Sequence, residues 1–433
     1  MRREIRENRV WRKKFFASRS TIQQGVGKMK DRVGPMVSGW LKRARQEALL
    51  VVLAAAAGGI AGVLTAVFGR GVLAVTALRE AQPWLLVLLP AGGAVIWLVY
   101  ARWGKECSRG MALVFDAEEG RREDVPLLLV PLAVGATWLG HLLGASVGRE
   151  GVAVQIASAG ASLLTPALQR QQDRRRLLVA GVAAGFAGLF CTPLAAVFFA
   201  LELFRAGVAV YDALLPALVA AWTASAVSGL LGMAPSAVDL GIAAPALTGP
   251  VLLRLAVLGA ACGLAGWLFV ALLHGLKDRL GRWLPNPCLR IVLVGALVAV
   301  IGFATGSRYN GLSEGLSAAA MAGGSLYAWD WLAKLCLTAV CLAAGFQGGE
   351  VAPLFTIGAA LGAVLALPLG LPVPLAAALA YAAVFAAGTN TLAAPILVGL
   401  ELFGGEYFGC FVLVCAASYL CNGGHSIYPQ AKS

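Results

Sequence analysis

The sequence predicts an all-α polytopic membrane protein built from two repeats, with helices that break inside the bilayer. Three observations predict it: a hydrophobic share of 59% with only 13% charged residues, a series of long charge-free runs, and an internal repeat at an offset of about 200 residues. A chain of 433 residues would otherwise divide into two or three soluble domains, but its mean hydropathy of +0.78 does not fit a water-soluble protein.

Runs free of Asp, Glu, Lys and Arg cover residues 48–68, 83–101, 125–148, 177–201, 213–238 and 255–276. Each is near or above the roughly 20 residues that carry a helix across hydrocarbon. Residues 351–400 add fifty more without a charge. These runs exclude a single span or a surface anchor. An outer-membrane barrel is excluded too, because its strands would alternate polar and apolar residues.

The net charge of +13 resembles a nucleic-acid signal until it is located. Residues 1–46 hold fourteen Lys or Arg against three acids, which leaves +11 there and only +2 for the rest. A basic arm just before the first apolar run is what the positive-inside rule expects of a cytoplasmic N-terminus, with anionic lipid as its contact and no nucleic-acid partner. The charged segments 102–124, 170–176 and 277–282 read as loops on the same side. The first apolar run starts too late for a signal peptide.

Nine cysteines stand singly, without a C-x-x-C pair, and read as small core residues. His141, His274 and His425 are isolated from any second ligand at metal spacing, so neither a metal nor another cofactor is expected. The same scarcity argues against an intramembrane enzyme, which would need a Ser/His/Asp or His-rich constellation in the apolar runs.

Glycine (53) and proline (19) interrupt the apolar segments at short intervals. Helices broken at membrane depth leave backbone N–H and C=O groups that hydrocarbon cannot satisfy, so they must face protein, water or an ion. The competing explanation is that Gly and Ala allow close helix packing.

The repeat supports the first explanation. Residues 186–204 and 385–403 match at eight of nineteen positions, both ending in Leu-Glu-Leu-Phe, at an offset of 199. Gly148-Arg149-Glu150-Gly151 has a counterpart in Gly348-Gly349-Glu350-Val351 at an offset of 200. The chain therefore reads as a basic segment (1–46) and two membrane halves (48–235 and 250–428). Transporters of this design place their substrate near the midplane, where half-helix N-termini meet.

An Arg and a Glu at membrane depth are costly and usually line a pathway. The flanking glycines let backbone approach a ligand, and a helix starting near Gly151 directs free N–H groups at an anion. A carboxylate there can occupy the anion site itself and leave it on protonation, which couples anions to protons. Glu350 sets the same device in the second half. A second acid beside the anion repels it unless it is protonated or hydrogen-bonds the protonated Glu150. Glu202 and Glu401, in the repeated Leu-Glu-Leu-Phe, read as structural helix-end carboxylates, and Glu314 as loop surface.

Gly-Arg-Glu-Gly at 148–151, Gly-Gly-Glu-Val-Ala-Pro-Leu-Phe at 348–355 and Gly-His-Ser-Ile-Tyr at 424–428 resemble the CLC family of anion channels and proton-coupled antiporters. The likeness covers about residues 48–428. It implies a homodimer with one pathway per subunit, formed by two inverted halves. It also implies that Glu150 is the gating glutamate and that backbone N–H groups around Gly148, Arg149, Gly151, Glu350 and Val351 hold the anion. Tyr428 would approach the anion from the cytoplasmic side.

Met111, in Ser108-Arg109-Gly110-Met111-Ala112, stands where chloride-conducting members carry the serine of Gly-Ser-Gly-Ile-Pro. The fluoride-specific branch resembles this chain there, and in its Gly-Gly-Glu. An alternative alignment puts Ser108 on the chloride serine, with Arg109 replacing the required glycine. Two departures from the family bear on detail: Val114, Ala352 and Thr356 replace aromatic and hydroxyl residues of some fluoride members, and Leu203 follows Glu202 where chloride antiporters often have Glu-Glu. The resemblance implies a fluoride/proton antiporter of the bacterial inner membrane, with a chloride or nitrate transporter or a passive anion channel on the same fold as the alternative.

Overall fold

The computed structural model describes the backbone of residues 2–234 and 237–431, and the side chains of those residues apart from 2–10 and 12–38. The expected end of the first half at residue 235 lies outside the described residues, and most side chains of the 1–46 arm lie outside them too. The chain forms two compact units, Met1–Val52 and Leu53–Ser433. The first is helical throughout its described residues. The second holds the fold that follows.

Sixteen α-helices are present among the described residues, and they pair in order across the two halves. The first eight are α1 (Arg2–Ala81), α2 (Leu89–Trp103), α3 (Met111–Glu118), α4 (Leu129–Leu143), α5 (Glu150–Ser162), α6 (Gln171–Phe190), α7 (Pro193–Glu202) and α8 (Leu214–Leu230). Their counterparts are α9 (Gly249–Trp283), α10 (Pro287–Ala304), α11 (Glu314–Met321), α12 (Asp330–Ala344), α13 (Val351–Leu369), α14 (Val373–Thr389), α15 (Ala393–Phe403) and α16 (Phe408–Cys421). Among the described residues, six helices are long and apolar enough to cross a membrane, so this is a multi-pass membrane protein. The halves are repeats of inverted topology, and they run antiparallel where α5 and α13 meet head to head.

The charge-free runs are not all spans. Residues 177–201 form two helices, because Cys191 ends α6 in the left-handed conformation (φ +56) and Pro193 starts α7. Asn390 (φ +54) ends α14 in the same way. All three expected loops are helical at least in part: 102–124 contains α3, 171–176 form the start of α6, and 277–282 form the last turns of α9. Charge alone does not stop a helix, and α9 runs on through its charged end to Trp283.

Helix α5 has thirteen residues, all buried, and spans about 20 Å, too short to cross hydrocarbon of about 30 Å. It packs on α6, and α13 packs on α14, with backbones nearly touching. A methyl on Gly185 would lie 2.6 Å from Ala153 O, and one on Gly358 would lie 2.2 Å from Ala380 O. Much of the glycine is therefore packing glycine. The glycines before α5 and α13 do something else.

Candidate functional site

Two loops of the same construction aim the heads of α5 and α13 at each other. Helix α4 ends at Gly144 (φ +93) and α12 at Gly345 (φ +113), and each is followed by a short extended segment. The segments pair: Gly148 N–H donates to Gly349 C=O at 2.6 Å, and Gly349 N–H donates to Gly148 C=O at 2.8 Å. A methyl on Gly349 would stand 2.7 Å from Gly151 N, so this approach requires glycine.

Glu150 is the first residue of α5 and only 1% exposed. Its Oε2 accepts the Ala352 N–H at 2.8 Å and the Arg149 N–H at 3.1 Å. Ala352 is the second residue of α13, where a helix leaves its N–H groups without internal partners. The carboxylate of one half thus fills the anion-binding position at the helix head of the other. Arg149, also buried, holds Nε 3.8 Å from Glu150 Oε1 and Nη2 3.5 Å from Glu314 Oε1.

Glu350 stands just before α13, without a side-chain hydrogen bond to the helix end, and Val351 is that helix's first residue. Glu350 Oε2 lies 3.5 Å from where a Cβ on Gly151 would stand, so the two acids share one site. Gly148, Arg149, Glu150, Gly151, Glu350 and Val351 are therefore gathered as the sequence expects.

Tyr428 is buried, with its ring 6.1 Å from Phe115 and 6.3 Å from Phe199. A row of rings links it to the two heads. Phe199 meets Phe385 at 5.8 Å, Phe385 meets Phe355 at 4.9 Å, and Phe355 stacks on Tyr381 at 4.2 Å. Phe355 and Tyr381 line a cavity of about 250 Å³ together with Arg149, Glu150, Glu314 and Thr356. Met111 stands apart from that cavity: it heads α3, half-buried against the core, just after Gly110 (φ +53).

Several residues escaped the sequence reading. Glu314 is at the surface as expected but not in a loop, since it opens α11, lines the cavity and pairs with Arg149. Lys334 is fully buried behind the first loop and donates to Ser146 Oγ, Tyr309 C=O and Gly311 C=O. No local pattern marks these contacts, which join distant segments. The two Leu-Glu-Leu-Phe acids each cap a helix of the opposite half. Glu202 accepts from Leu392, Ala393 and Ala394 N–H, and Glu401 accepts from Leu194 and Ala195 N–H.

Comparison with known proteins places this geometry. Residues 92–423 match the family described as voltage gated chloride channel. A relative from Pseudomonas syringae pv. tomato, named chloride/fluoride channel protein, is 39% identical over 403 residues, covering 91% of this chain and 86% of its own. The voltage-gated ClC-type chloride channel ClcB of Escherichia coli O9:H4 is 27% identical, over 66% of this chain and 70% of its own. Among solved structures, a CLC-type fluoride/proton antiporter superposes with a TM-score of 0.86 at 42% identity, covering 89% of this chain and 98% of that one. A slow cyanobacterial Cl⁻/H⁺ antiporter shares the fold, with a TM-score of 0.74 at 19% identity over 88% and 96% of the two chains. With a family match over most of its length and a solved relative of the same architecture, the chain belongs to the CLC family of voltage gated chloride channels.

Proposed function

We propose that the protein is a fluoride/proton antiporter that exports fluoride across the bacterial inner membrane. The observation that carries this reading is the Glu150 carboxylate seated on the Ala352 N–H at the head of α13. An anion arriving there competes with the carboxylate for the same donor. Protonation removes the charge that holds the carboxylate in place, so proton uptake and anion binding are linked at one position. Fluoride that entered as HF and was trapped as the anion at near-neutral pH would leave against inward protons. In this cycle Glu150 takes a proton outside, swings inward past the anion toward Tyr428 and releases the proton as fluoride exits.

Backbone N–H groups from Arg149 to Gly151 and at Glu350 and Val351 hold the anion, Arg149 adds positive charge, and the Gly148 N–H is instead committed to the Gly349 carbonyl. Met111 excludes the polar contact that favours chloride. The fluoride assignment is supported by the names of the 39% and 42% identical relatives. The protein works as a homodimer without cofactor. Its halves are bounded at 48–235 and 250–428, its N-terminus is cytoplasmic, and residues 1–46 rest on anionic lipid.

The test is flux through purified protein in vesicles, with a fluoride electrode and a proton-sensitive dye. Fluoride efflux with opposed proton movement and slow chloride flux is the expected result. Fast chloride flux, the outcome for the second reading drawn from the relatives named chloride channels, overturns the proposal.

A further inference from the structure

We propose that Glu314 is a positioning residue for proton uptake by Glu150, acting through Arg149; this rests on the reading of Glu150 as the proton-carrying gate. The Arg149 guanidinium stands between two carboxylates, with Nε 3.8 Å from Glu150 Oε1 and Nη2 3.5 Å from Glu314 Oε1. Its Nε and Nη1 are buried and have no hydrogen-bond partner among the described residues. The cation is thus shared rather than committed to either acid.

The two acids differ in their surroundings. Glu150 is sealed in protein, whereas the Glu314 side chain is 61% exposed, and both line the same cavity. Held between the two carboxylates, the guanidinium is drawn partly toward Glu314 and so stands no closer than 3.8 Å to Glu150. Remove the Glu314 charge, and the whole guanidinium acts on Glu150, favouring the ionised carboxylate seated on the Ala352 N–H. Loss of a nearby negative charge acts in the same direction. Proton uptake then demands a more acid medium.

The other groups around the pair stay constant in that comparison. Glu350 from α13, Tyr381 from α14 and Tyr428 from the C-terminal segment lie within electrostatic reach of Glu150, and His141 of α4 within reach of Arg149. Tyr381 is also within reach of Glu314. Arg79, Glu80 and Arg308 line a neighbouring cavity of about 650 Å³ that Glu314 borders.

The experiment measures anion efflux and coupled proton uptake in vesicles holding the full-length protein, against external pH. Glu314→Gln is expected to lower coupled flux about three- to tenfold at neutral external pH and to displace the profile about 0.5–1 unit toward acid. Glu314→Ser, a second neutral variant, moves it the same way, and Glu314→Asp stays near the wild type. Profiles that superpose on the wild type overturn the proposal. So does a loss by one constant factor at every pH, which marks a purely structural role. The series is run with fluoride and with chloride. Should the wild type carry chloride instead, the fluoride reading fails, while the displacement measured on chloride-coupled protons still decides the role of Glu314.

Discussion

At the head of α5, Glu150 sends its carboxylate across to α13 and accepts the Ala352 N–H, while Glu350 at the head of α13 returns no hydrogen bond to α5 among the described residues. About fifty residues further on in each half, the repeated Leu-Glu-Leu-Phe acids behave differently. Glu202 caps α15 and Glu401 caps α7, each serving the other half. The exchange is reciprocal at the caps and one-sided at the centre. A reciprocal cap locks two helices together, and neither partner can leave without stranding buried N–H groups. A one-sided contact leaves one carboxylate able to go and one site able to receive something else.

The sharpest way to break this contrast is to neutralise the central acids separately. Glu150→Gln is expected to lower proton-coupled fluoride flux about 10²-fold or more, the scale for losing a positioned proton carrier. Glu350→Gln should lower it less, and equal losses in the vesicle assay would mean that the centre is symmetric after all.

Next in size is Gly349→Ala, whose methyl would meet Gly151 N at 2.7 Å. It should cost about 1–3 kcal/mol in detergent unfolding and depress flux as well. Gly135→Ala, with open space around its Cβ, is the control that should change neither.

Glu202→Ala and Glu401→Ala should each destabilise the fold by about 1–2 kcal/mol, Glu202 more because it serves three N–H groups against two. The ratio of protons to anions should hold in both. A change in that ratio would make these acids part of the pathway. The smallest effect is expected of Met111→Ser, a shift of less than about tenfold in fluoride over chloride preference in the same assay. No shift there would leave Met111 without a part in selectivity.

How much of this the sequence disclosed depends on the distance over which each feature is encoded. Glycine-flanked acids in charge-free surroundings are local, and the offset of about 200 ties them in pairs, so the two heads and their meeting were readable. The break at Cys191-Thr192-Pro193 was also local, yet a count of charges reads straight through it, because left-handed geometry at Cys191 carries no hydropathy signature. The caps from Glu202 and Glu401 could be placed at helix ends, but not assigned to their receiving helices, since the partners are about 190 and 207 residues away. Arg149 and Glu314 meet across 165 residues, and Lys334 finds only backbone and hydroxyl acceptors. Such contacts exist only once the halves are folded onto each other.

The mutual Gly148 and Gly349 hydrogen bonds splice the two repeats beside the meeting helix heads to which the proposed function assigns the ion. Rocking one repeat against the other would tear that splice. In the proposed cycle, a machine joined at its own axle is expected to alternate access by turning side chains, with small strokes and a nearly still backbone.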